Sequence, residues 1–205
     1  GYGILISEGH NNIITNCNIQ GFSTGIYSKI SDYNLITNNS IINSKTGIRL
    51  DGYSTGEKSI FNNISNNVIS NFTWLSGIFL YYGSENIVIN NTIRDSNDPG
   101  IAYSGIRLLG TGIGATLDST IKDNTINNLS ADGISIQGLS WYNNITNNKI
   151  SNINIGILLH DQGGIEPLDN ILRNNEIINT SGTSILINSF SGGNNFIVYN
   201  NSFGR

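Results

Sequence analysis

A recurring Gly-Ile step constrains the fold of this chain more than any other feature. Successive steps stand about 22 to 30 residues apart, and internal repetition of this length is typical of solenoids. The first two intervals, from Gly3 to Gly25 and from Gly25 to Gly47, are both 22 residues and are the shortest. We therefore interpret the longer coils as the same unit with insertions. The copies are Gly3-Ile4, Gly25-Ile26, Gly47-Ile48, Gly77-Ile78, Gly105-Ile106, Gly133-Ile134 and Gly156-Ile157, with Ser184-Ile185 in the last place.

A second motif of the form Asn-Asn-x-Ile follows each Gly-Ile step. Two copies depart from it, as Asn16-Cys17-Asn18-Ile19 and Asp123-Asn124-Thr125-Ile126. The other copies begin at Asn38, Asn66, Asn90, Asn147 and Asn174, and at Asn200 with Phe203 in the place of Ile. Such regularity indicates that the paired Asn belong to the scaffold rather than to one site.

Apolar residues within each copy alternate with a period of two. Ile48 and Leu50, for example, flank Arg49, which is the pattern of a strand with one buried face. The chain has 35 Asn, 37 Ile and 24 Gly but only three Ala and no Met, a composition that disfavours helices. We therefore predict an all-β fold, a single-stranded parallel β-helix of about eight coils, in which stacked units share one core.

Two properties suit Asn to the corners of such a coil. Asn tolerates the left-handed backbone conformation, and its amide can donate and accept hydrogen bonds from coil to coil. We expect an Asn ladder that satisfies polar groups inside the solenoid. The predicted members are Asn16, Asn38, Asn39, Asn66, Asn67, Asn90, Asn91, Asn124, Asn147, Asn148, Asn174, Asn175, Asn200 and Asn201.

Composition excludes several other classes. Leucine-rich repeats need Leu-rich helical stretches, and left-handed hexapeptide helices need a strict six-residue step; neither is present. Charged residues make up 12 % of the chain and the net charge is −4, so no basic patch indicates nucleic acid. One Cys permits no intrachain disulfide, and no apolar run is long enough for a membrane span in this segment. We treat residues 1–205 as one module.

The two motifs together resemble the right-handed parallel β-helix repeats of pectin-lyase-like proteins. They are especially similar to the NosD-type, or carbohydrate-binding and sugar hydrolase, domain repeats. The Asn- and Ile-rich character also resembles archaeal surface or adhesin-like proteins. The resemblance covers residues 3–203 and implies the fold and its right-handed sense, whereas the motif itself carries no catalytic group.

In this family the substrate lies along one sheet and its flanking turns, so the Gly-Ile strands are the first place to look for a site. Arg49 and Arg107 fall two coils apart with Phe79 between them, at a separation of about 10 Å. Guanidinium and aromatic groups on one strip suit sugars; the alternative is a ladder that only stabilises the solenoid. The glycan-binding candidates are Arg49, Asp51, Tyr53, Phe79, Tyr81, Tyr82, Arg107, Trp141 and Tyr142.

Catalytic residues are harder to assign. Asp51 is a candidate acid or base, with Glu57 as a possible second carboxyl group. Asp161 and Asp169 form another possible pair of carboxyl groups. His160 and Asp161 are further candidates, but neighbours on a strand point to opposite faces. The motifs that resemblance to polygalacturonases or alginate epimerases would imply are missing. Two His, one Cys and no Met also predict neither a metal site nor a cofactor.

Eight Asn-x-Ser/Thr sequons occur, as expected in a chain so rich in Asn. We expect those at Asn38, Asn90 and Asn200 to lie in the ladder. Those at Asn71, Asn128 and Asn179 fall in the variable segment after it, and are the better candidates for glycosylation.

These observations favour a non-catalytic structural or adhesin-like module that is extracellular or at the cell surface and contacts glycans. Neither end of the chain has a polar cap, so the expected partners are further copies end to end, adjoining domains of a longer chain, or a surface polysaccharide. The alternative function is a polysaccharide lyase, glycoside hydrolase or epimerase that uses the Gly-Ile strand face.

Overall fold

The chain folds into a parallel β-helix, as the repeat predicts. The computed structural model describes residues 1–53, 56–96, 104–188 and 196–204. Strands are numbered β1 to β28 in chain order. Successive coils contribute one strand each to three sheets, A, B and C, and every sheet has eight parallel strands. Seven steps of the solenoid thus separate the first coil from the last.

Sheet A contains the Gly-Ile strands. Its members, in order along the solenoid, are β1 (Tyr2–Ser7), β4 (Thr24–Lys29), β7 (Thr46–Asp51), β11 (Ser76–Tyr81), β15 (Ser104–Gly110), β19 (Asp132–Gly138), β23 (Ile157–His160) and β26 (Ile185–Asn188).

Sheets B and C are built from shorter strands. Sheet B comprises β2 (Ile13–Thr15), β5 (Leu35–Thr37), β9 (Asn63–Ser65), β13 (Ile87–Ile89), β17 (Thr120–Lys122), β21 (Asn144–Thr146), β24 (Ile171–Arg173) and β27 (Ile197–Tyr199). Sheet C comprises β3 (Asn18–Gln20), β6 (Ser40–Ile42), β10 (Val68–Ser70), β14 (Thr92–Ser96), β18 (Thr125–Leu129), β22 (Lys149–Ile153), β25 (Glu176–Thr180) and β28 (Ser202–Gly204). Two small sheets pair β8 (Ser59–Ile60) with β12 (Gly83–Ser84), and β16 (Thr116–Leu117) with β20 (Ser140–Trp141).

The core consists of columns of like residues. In sheet A the Ile of each Gly-Ile step pairs with the Ile of the next coil, as Ile26 does with Ile48. Inward Ile of sheet C, such as Ile41, fill the opposite side and are buried. A Cβ at Gly25 would lie 2.5 Å from Cγ2 of Ile41, so this close packing excludes any larger residue there. The Gly-Ile step is therefore a packing requirement.

Corners between the sheets are made by residues in the left-handed conformation. At the corner between sheets B and C this residue is the first Asn of each pair, as at Asn66 and Asn147, both with φ of 56°. The Asp123 backbone does the same with φ of 55°. Asn and Asp tolerate this conformation better than other side chains, because their short polar groups bond locally.

The second Asn of each pair points inward and forms the predicted ladder. Oδ1 of Asn67 accepts hydrogen bonds from the backbone N–H (3.0 Å) and Nδ2 (3.0 Å) of Asn39. Nδ2 of Asn67 in turn donates to Oδ1 of Asn91 (3.0 Å) and to the carbonyl of Ile36 (2.9 Å). Both polar atoms of this amide are thus fully bonded. The members are Asn39, Asn67, Asn91, Asn124, Asn148, Asn175 and Asn201.

The prediction that both Asn of each pair belong to the ladder is therefore wrong for the first Asn. These side chains are exposed, because the left-handed residue turns its Cβ outward where the chain changes direction. The residues concerned are Asn16, Asn38, Asn66, Asn90, Asn147, Asn174 and Asn200. In the first coil the inward position is held by Cys17, whose N–H donates to Oδ1 of Asn39 at 3.0 Å.

A second inward ladder, which the sequence analysis missed, runs along the corner between sheets A and B. Oδ1 of Asn62 accepts from the backbone N–H (3.0 Å) and Nδ2 (2.9 Å) of Asn34. Ser119 replaces Asn in one coil, where its hydroxyl accepts from the N–H of Asn86 (3.3 Å) and its own N–H donates to Asn143 (2.9 Å). The remaining members are Asn12 and Asn170.

We expect Asn67→Asp to destabilise the protein by about 2 kcal/mol or more, because the carboxylate keeps the shape but cannot donate to Asn91 and Ile36. The matched control is Asn66→Asp. This substitution is at the neighbouring exposed corner, and Asp already occupies the equivalent corner at Asp123. Urea unfolding measures both; an equal loss of stability in the two variants would contradict the assignment of the ladder.

Candidate functional site

The outward side chains of sheet A form one stacked column, as the strand register predicts. Tyr27 pairs with Arg49, Arg49 with Phe79, and Phe79 with Arg107. The Arg49 guanidinium carbon lies 5.4 Å from the centres of both the Tyr27 and Phe79 rings, and that of Arg107 lies 5.2 Å from the Phe79 ring. The rings and guanidinium groups therefore alternate, an arrangement favoured by cation–π attraction.

Asp51 anchors this column through both of its carboxylate oxygens. Arg49 donates from Nε to Oδ1 and from Nη2 to Oδ2, each at 2.7 Å, and the Tyr27 hydroxyl donates to Oδ2 at 2.8 Å. Burial and the nearby carboxylate raise the pKa of Tyr27 above its ordinary value. Burial alone would lower the pKa of Arg49, but the hydrogen bonds and charge of Asp51 outweigh it and raise that pKa. Asp51 therefore acts as an acceptor within the fold.

Phe79 and Arg107 are more buried than the exposed strip that the sequence analysis expected. Their exposed fractions are 4 % and 8 %. Arg107 donates to Oε1 of Gln137 from Nη2 (2.6 Å) and Nε (3.2 Å), and Gln137 donates to Ser135 at 2.8 Å. Stacked neighbours cover both faces of the Phe79 ring, so this ring offers no flat surface to a sugar.

A chain of hydroxyl groups lies beside the column. The hydroxyls of Tyr81 and Tyr82 are 2.7 Å apart, and that of Tyr82 also bonds Thr111. Burial, and then the hydrogen bond with Tyr82, raise the pKa of Tyr81 to about 12, so this phenol stays protonated at neutral pH. Tyr82 is buried, and Gly114 packs against its ring. These hydrogen bonds connect the turn after β11 with Thr111 after β15, and they stabilise that turn.

The remaining aromatic candidates lie apart from the column. Tyr53 is 64 % exposed, and the Lys29 ammonium lies 5.9 Å from the centre of its ring. Trp141 is half-buried and donates from Nε1 to the carbonyl of Glu166 at 2.8 Å. Tyr142 is exposed and lies at the corner between sheets A and B. The structure thus divides the nine glycan-binding candidates into a packed group and an exposed group.

His160 and Asp161 approach each other, contrary to the prediction that they face opposite ways. Their Nδ1 and Oδ1 atoms are 3.7 Å apart, because β23 ends at His160 and the alternation of a strand stops there. Nδ1 of His160 also lies 3.5 Å from Nδ2 of Asn188, and Asp161 accepts from the N–H of Gly164 at 3.1 Å. The separation of His160 and Asp161 exceeds the length of a hydrogen bond, so the two are neighbours rather than a bonded pair.

Two of the eight sequons, at Asn63 and Asn144, begin strands β9 and β21, and the other six lie at residues in the left-handed conformation. Asn128 and Asn179 are exposed near the ends of β18 and β25, and Asn71 is half-buried directly after β10; all three are in the left-handed conformation. The expectation that the sequons at Asn38, Asn90 and Asn200 lie inside the ladder is wrong, since these residues are exposed corners.

One left-handed residue stands immediately before each member of the second inward ladder, and these seven residues form an outward column that we call the A–B edge. In order along the solenoid they are Asn11, Tyr33, Phe61, Glu85, Asp118, Tyr142 and Asp169, with φ between 52° and 60°. Each precedes a member of the second inward ladder, so the ladder holds the column in register. The rings of Tyr33 and Phe61 stack with centres 5.1 Å apart and planes at 16°.

Fold and site together define a parallel β-helix protein whose sheet A carries a packed column of aromatic and guanidinium groups. Residues 1–197 match the family model described as "Periplasmic copper-binding protein (NosD)", and the chain belongs to that family, a right-handed one as the resemblance implied. No curated protein matches its sequence. The described residues include no helix with the length and apolar character needed to cross a bilayer.

Solved structures share the fold at low sequence identity. A double mutant of the periplasmic alginate epimerase AlgG has a TM-score of 0.80 and 18 % identity over 98 % of this chain and 47 % of its own. An alginate lyase from Paenibacillus sp. str. FPU-7 has a TM-score of 0.69 and 18 % identity over 98 % of this chain and 76 % of its own. The Azotobacter vinelandii mannuronan C-5 epimerase AlgE6 A-module has a TM-score of 0.58 and 13 % identity over 95 % and 58 %. This chain spans about half of AlgG.

The residues of this chain do not fit copper, which the family description names. Copper sites in proteins use His, Cys and Met. This sequence has two His, one Cys and no Met, and within the described ranges there is no cluster of three or more His, Cys, Asp or Glu that could share a metal ion. Nδ1 of His10 moreover accepts the N–H of Asp32 at 3.1 Å.

Asp132, at the start of β19, is a carboxyl group whose titration makes stability depend on pH. Burial raises its pKa to about 6, against a smaller opposite effect of a hydrogen bond with the Ile155 backbone. The folded protein holds this proton more tightly than the unfolded chain, so stability falls as pH rises from about 4 through 6.

We therefore expect Asp132→Ser, which restores the hydroxyl found at Ser104 in the previous strand, to stabilise the protein at pH 7 by roughly 1 kcal/mol, allowing for solvent screening. At pH 4 the gain should disappear. Thermal unfolding across this range measures the effect, with the exposed Glu176→Gln as control; a gain that is independent of pH would refute the account.

The Arg49–Asp51 pair should behave as a coupled structural unit. Either single substitution by Ala leaves a largely buried charge without its partner, and we expect a loss of about 2 kcal/mol. The double substitution should cost less than the sum of the two, by about 1 kcal/mol or more. Urea unfolding of the four proteins gives this coupling; additive losses would mean that the contact contributes no stability.

Proposed function

We propose that this chain is a non-catalytic structural module of the cell envelope or cell exterior that contacts polysaccharide. The observation that carries the proposal is the engagement of Asp51: both its oxygens are held by Arg49 and Tyr27 inside the fold. A carboxyl group that acts as a general acid or base must exchange a proton with substrate, whereas this one supports a column of stacked side chains.

The comparisons support the location and the kind of ligand. The family description is that of a periplasmic protein, and AlgG is a periplasmic epimerase. Two of the solved structures with this fold, AlgG and the Paenibacillus enzyme, act on alginate according to their names, so a β-helix of this shape suits a long polysaccharide. An adhesin-like role at the cell surface belongs to the same proposal.

Exposed aromatic side chains supply the means of contact. Tyr53, Tyr142 and the stacked Tyr33 and Phe61 all lie in the turns that follow sheet A or at the A–B edge. Tyr combines an apolar ring with a polar hydroxyl at low cost in side-chain entropy, and aromatic residues are frequent in binding surfaces. Association of the terminal coils with further copies or with adjoining domains stays a prediction. Light scattering at increasing protein concentration tests the association of copies.

The second candidate is a polysaccharide lyase, glycoside hydrolase or epimerase that uses the sheet A face. Its support is the proximity of Asp51, Arg49 and Tyr81 on sheet A, the sheet on which the resemblance to pectin-lyase-like proteins implies a substrate face. The enzyme hypothesis requires Asp51 to leave Arg49 when substrate binds.

Incubation with neutral and acidic polysaccharides separates the two functions. We expect retained binding without new chain ends, unsaturated products or epimerised residues. Turnover that is abolished by Asp51→Asn, and also by Tyr27→Phe, would establish the enzyme instead. Circular dichroism of both variants controls for folding, and His160→Gln serves as a variant outside the Asp51 contacts.

A further inference from the structure

The A–B edge contains residues that its backbone conformation disfavours. Asn, Asp or Glu occupies four of its seven positions, and the short ones among them suit a left-handed corner. Tyr33, Phe61 and Tyr142 occupy the other three, although bulky residues are uncommon there and cost of order 1 kcal/mol each. Backbone strain held in an ordered structure is a mark of functional positions.

Packing of the core does not account for these aromatic residues. The exposed fractions are 56 % for Tyr33, 40 % for Phe61 and 54 % for Tyr142. The inward ladder depends on the next residue in each coil, for example Asn34 after Tyr33, and it continues through coils whose corner residue is Glu85 or Asp118. The scaffold therefore forms with either kind of side chain at the corner.

The order of residues along the edge fits an extended ligand. Tyr33 and Phe61 are stacked on adjacent coils, and Tyr142 follows three coils beyond Phe61, about 14 Å away. Glu85 and Asp118 lie on the two coils between them and are exposed. A chain molecule that runs parallel to the solenoid axis meets aromatic rings at both ends of this span and carboxylates in its middle.

The chemistry of the edge distinguishes between polysaccharides. Aromatic rings pack against the apolar faces of sugar rings, while carboxylates accept strong hydrogen bonds from hydroxyl groups. The same carboxylates repel uronate or sulfate groups, since like charges brought together at an interface weaken binding. The net charge of −4 acts in the same direction.

We propose that the A–B edge is a binding site for an uncharged polysaccharide that lies along the axis of the solenoid. This inference rests on the proposed function, to which it adds the place and the ligand class. The edge is separate from the sheet A column, where Asp51 engages Arg49. Its ligand differs in charge from the alginate named for the structural neighbours.

The test is affinity electrophoresis through gels that contain a soluble neutral β-glucan, a neutral galactomannan, alginate or polygalacturonate. We expect a neutral polymer to retard the wild-type chain and the acidic polymers to retard it less. Tyr33→Asn with Phe61→Asn should weaken neutral binding at least tenfold. The double variant should fold at least as stably as the wild type, because Asn suits both corners.

Ile87→Thr is the matched control. It removes an exposed apolar side chain from adjacent sheet B, and Thr120 already occupies the same place in the next strand. This variant should bind as the wild type does. Glu85→Gln with Asp118→Asn should reduce the preference for neutral over acidic polymers severalfold, because the repulsion is removed.

Three outcomes would overturn the inference while the proposed function stands. If the variant with Tyr33 and Phe61 substituted still binds the neutral polymer, the polymer contacts another surface. The same conclusion follows if Arg49→Ala abolishes binding while the variant remains folded. A preference of the wild type for acidic polymers would refute the ligand class. Each of these leaves polysaccharide contact intact, whereas no retardation by any polymer would overturn the proposed function together with the edge.

Discussion

The inward asparagine amide is the interaction on which this structure depends. An amide buried among Ile side chains costs free energy unless all its polar atoms are bonded, and here Asn67 meets that requirement by accepting two hydrogen bonds and donating two. The partners lie in the coils before and after, so the bonds form only when successive coils stack in one register. The same interaction therefore satisfies the interior and excludes slipped arrangements.

The ladders also determine which parts of a coil can vary. Each requires an inward amide or a substitute such as Ser119, preceded by a residue in the left-handed conformation. It requires nothing of the chain between corners, which explains how coils of unequal length share one core. Side chains outside the ladders are then available for other contacts: sheet A uses them for a stacked column, and the A–B edge exposes them.

This separation of scaffold and surface bears on function. The fold is shared with enzymes that the names of the solved structures connect with alginate or mannuronan, yet at 13–18 % identity the likeness extends to the backbone alone. Function must follow from the residues on the surface. In this chain the candidate catalytic carboxyl group of Asp51 is engaged by Arg49 and Tyr27, whereas strained and exposed aromatic residues stand on a different edge.

The sequence by itself determined the repeat, the strand period and the columns of Ile, because these follow from local alternation and from regular intervals. It did not reveal which Asn of a pair points inward, since that depends on the left-handed turn at the first Asn. The ladder through Asn34 and Asn62 was also missed, although its Asn precede those of the other ladder at a constant spacing. Only the tertiary structure decided that Phe79 and Arg107 are buried and that His160 approaches Asp161. Burial and contact at these positions arise from neighbouring coils and strand ends, which no single repeat contains.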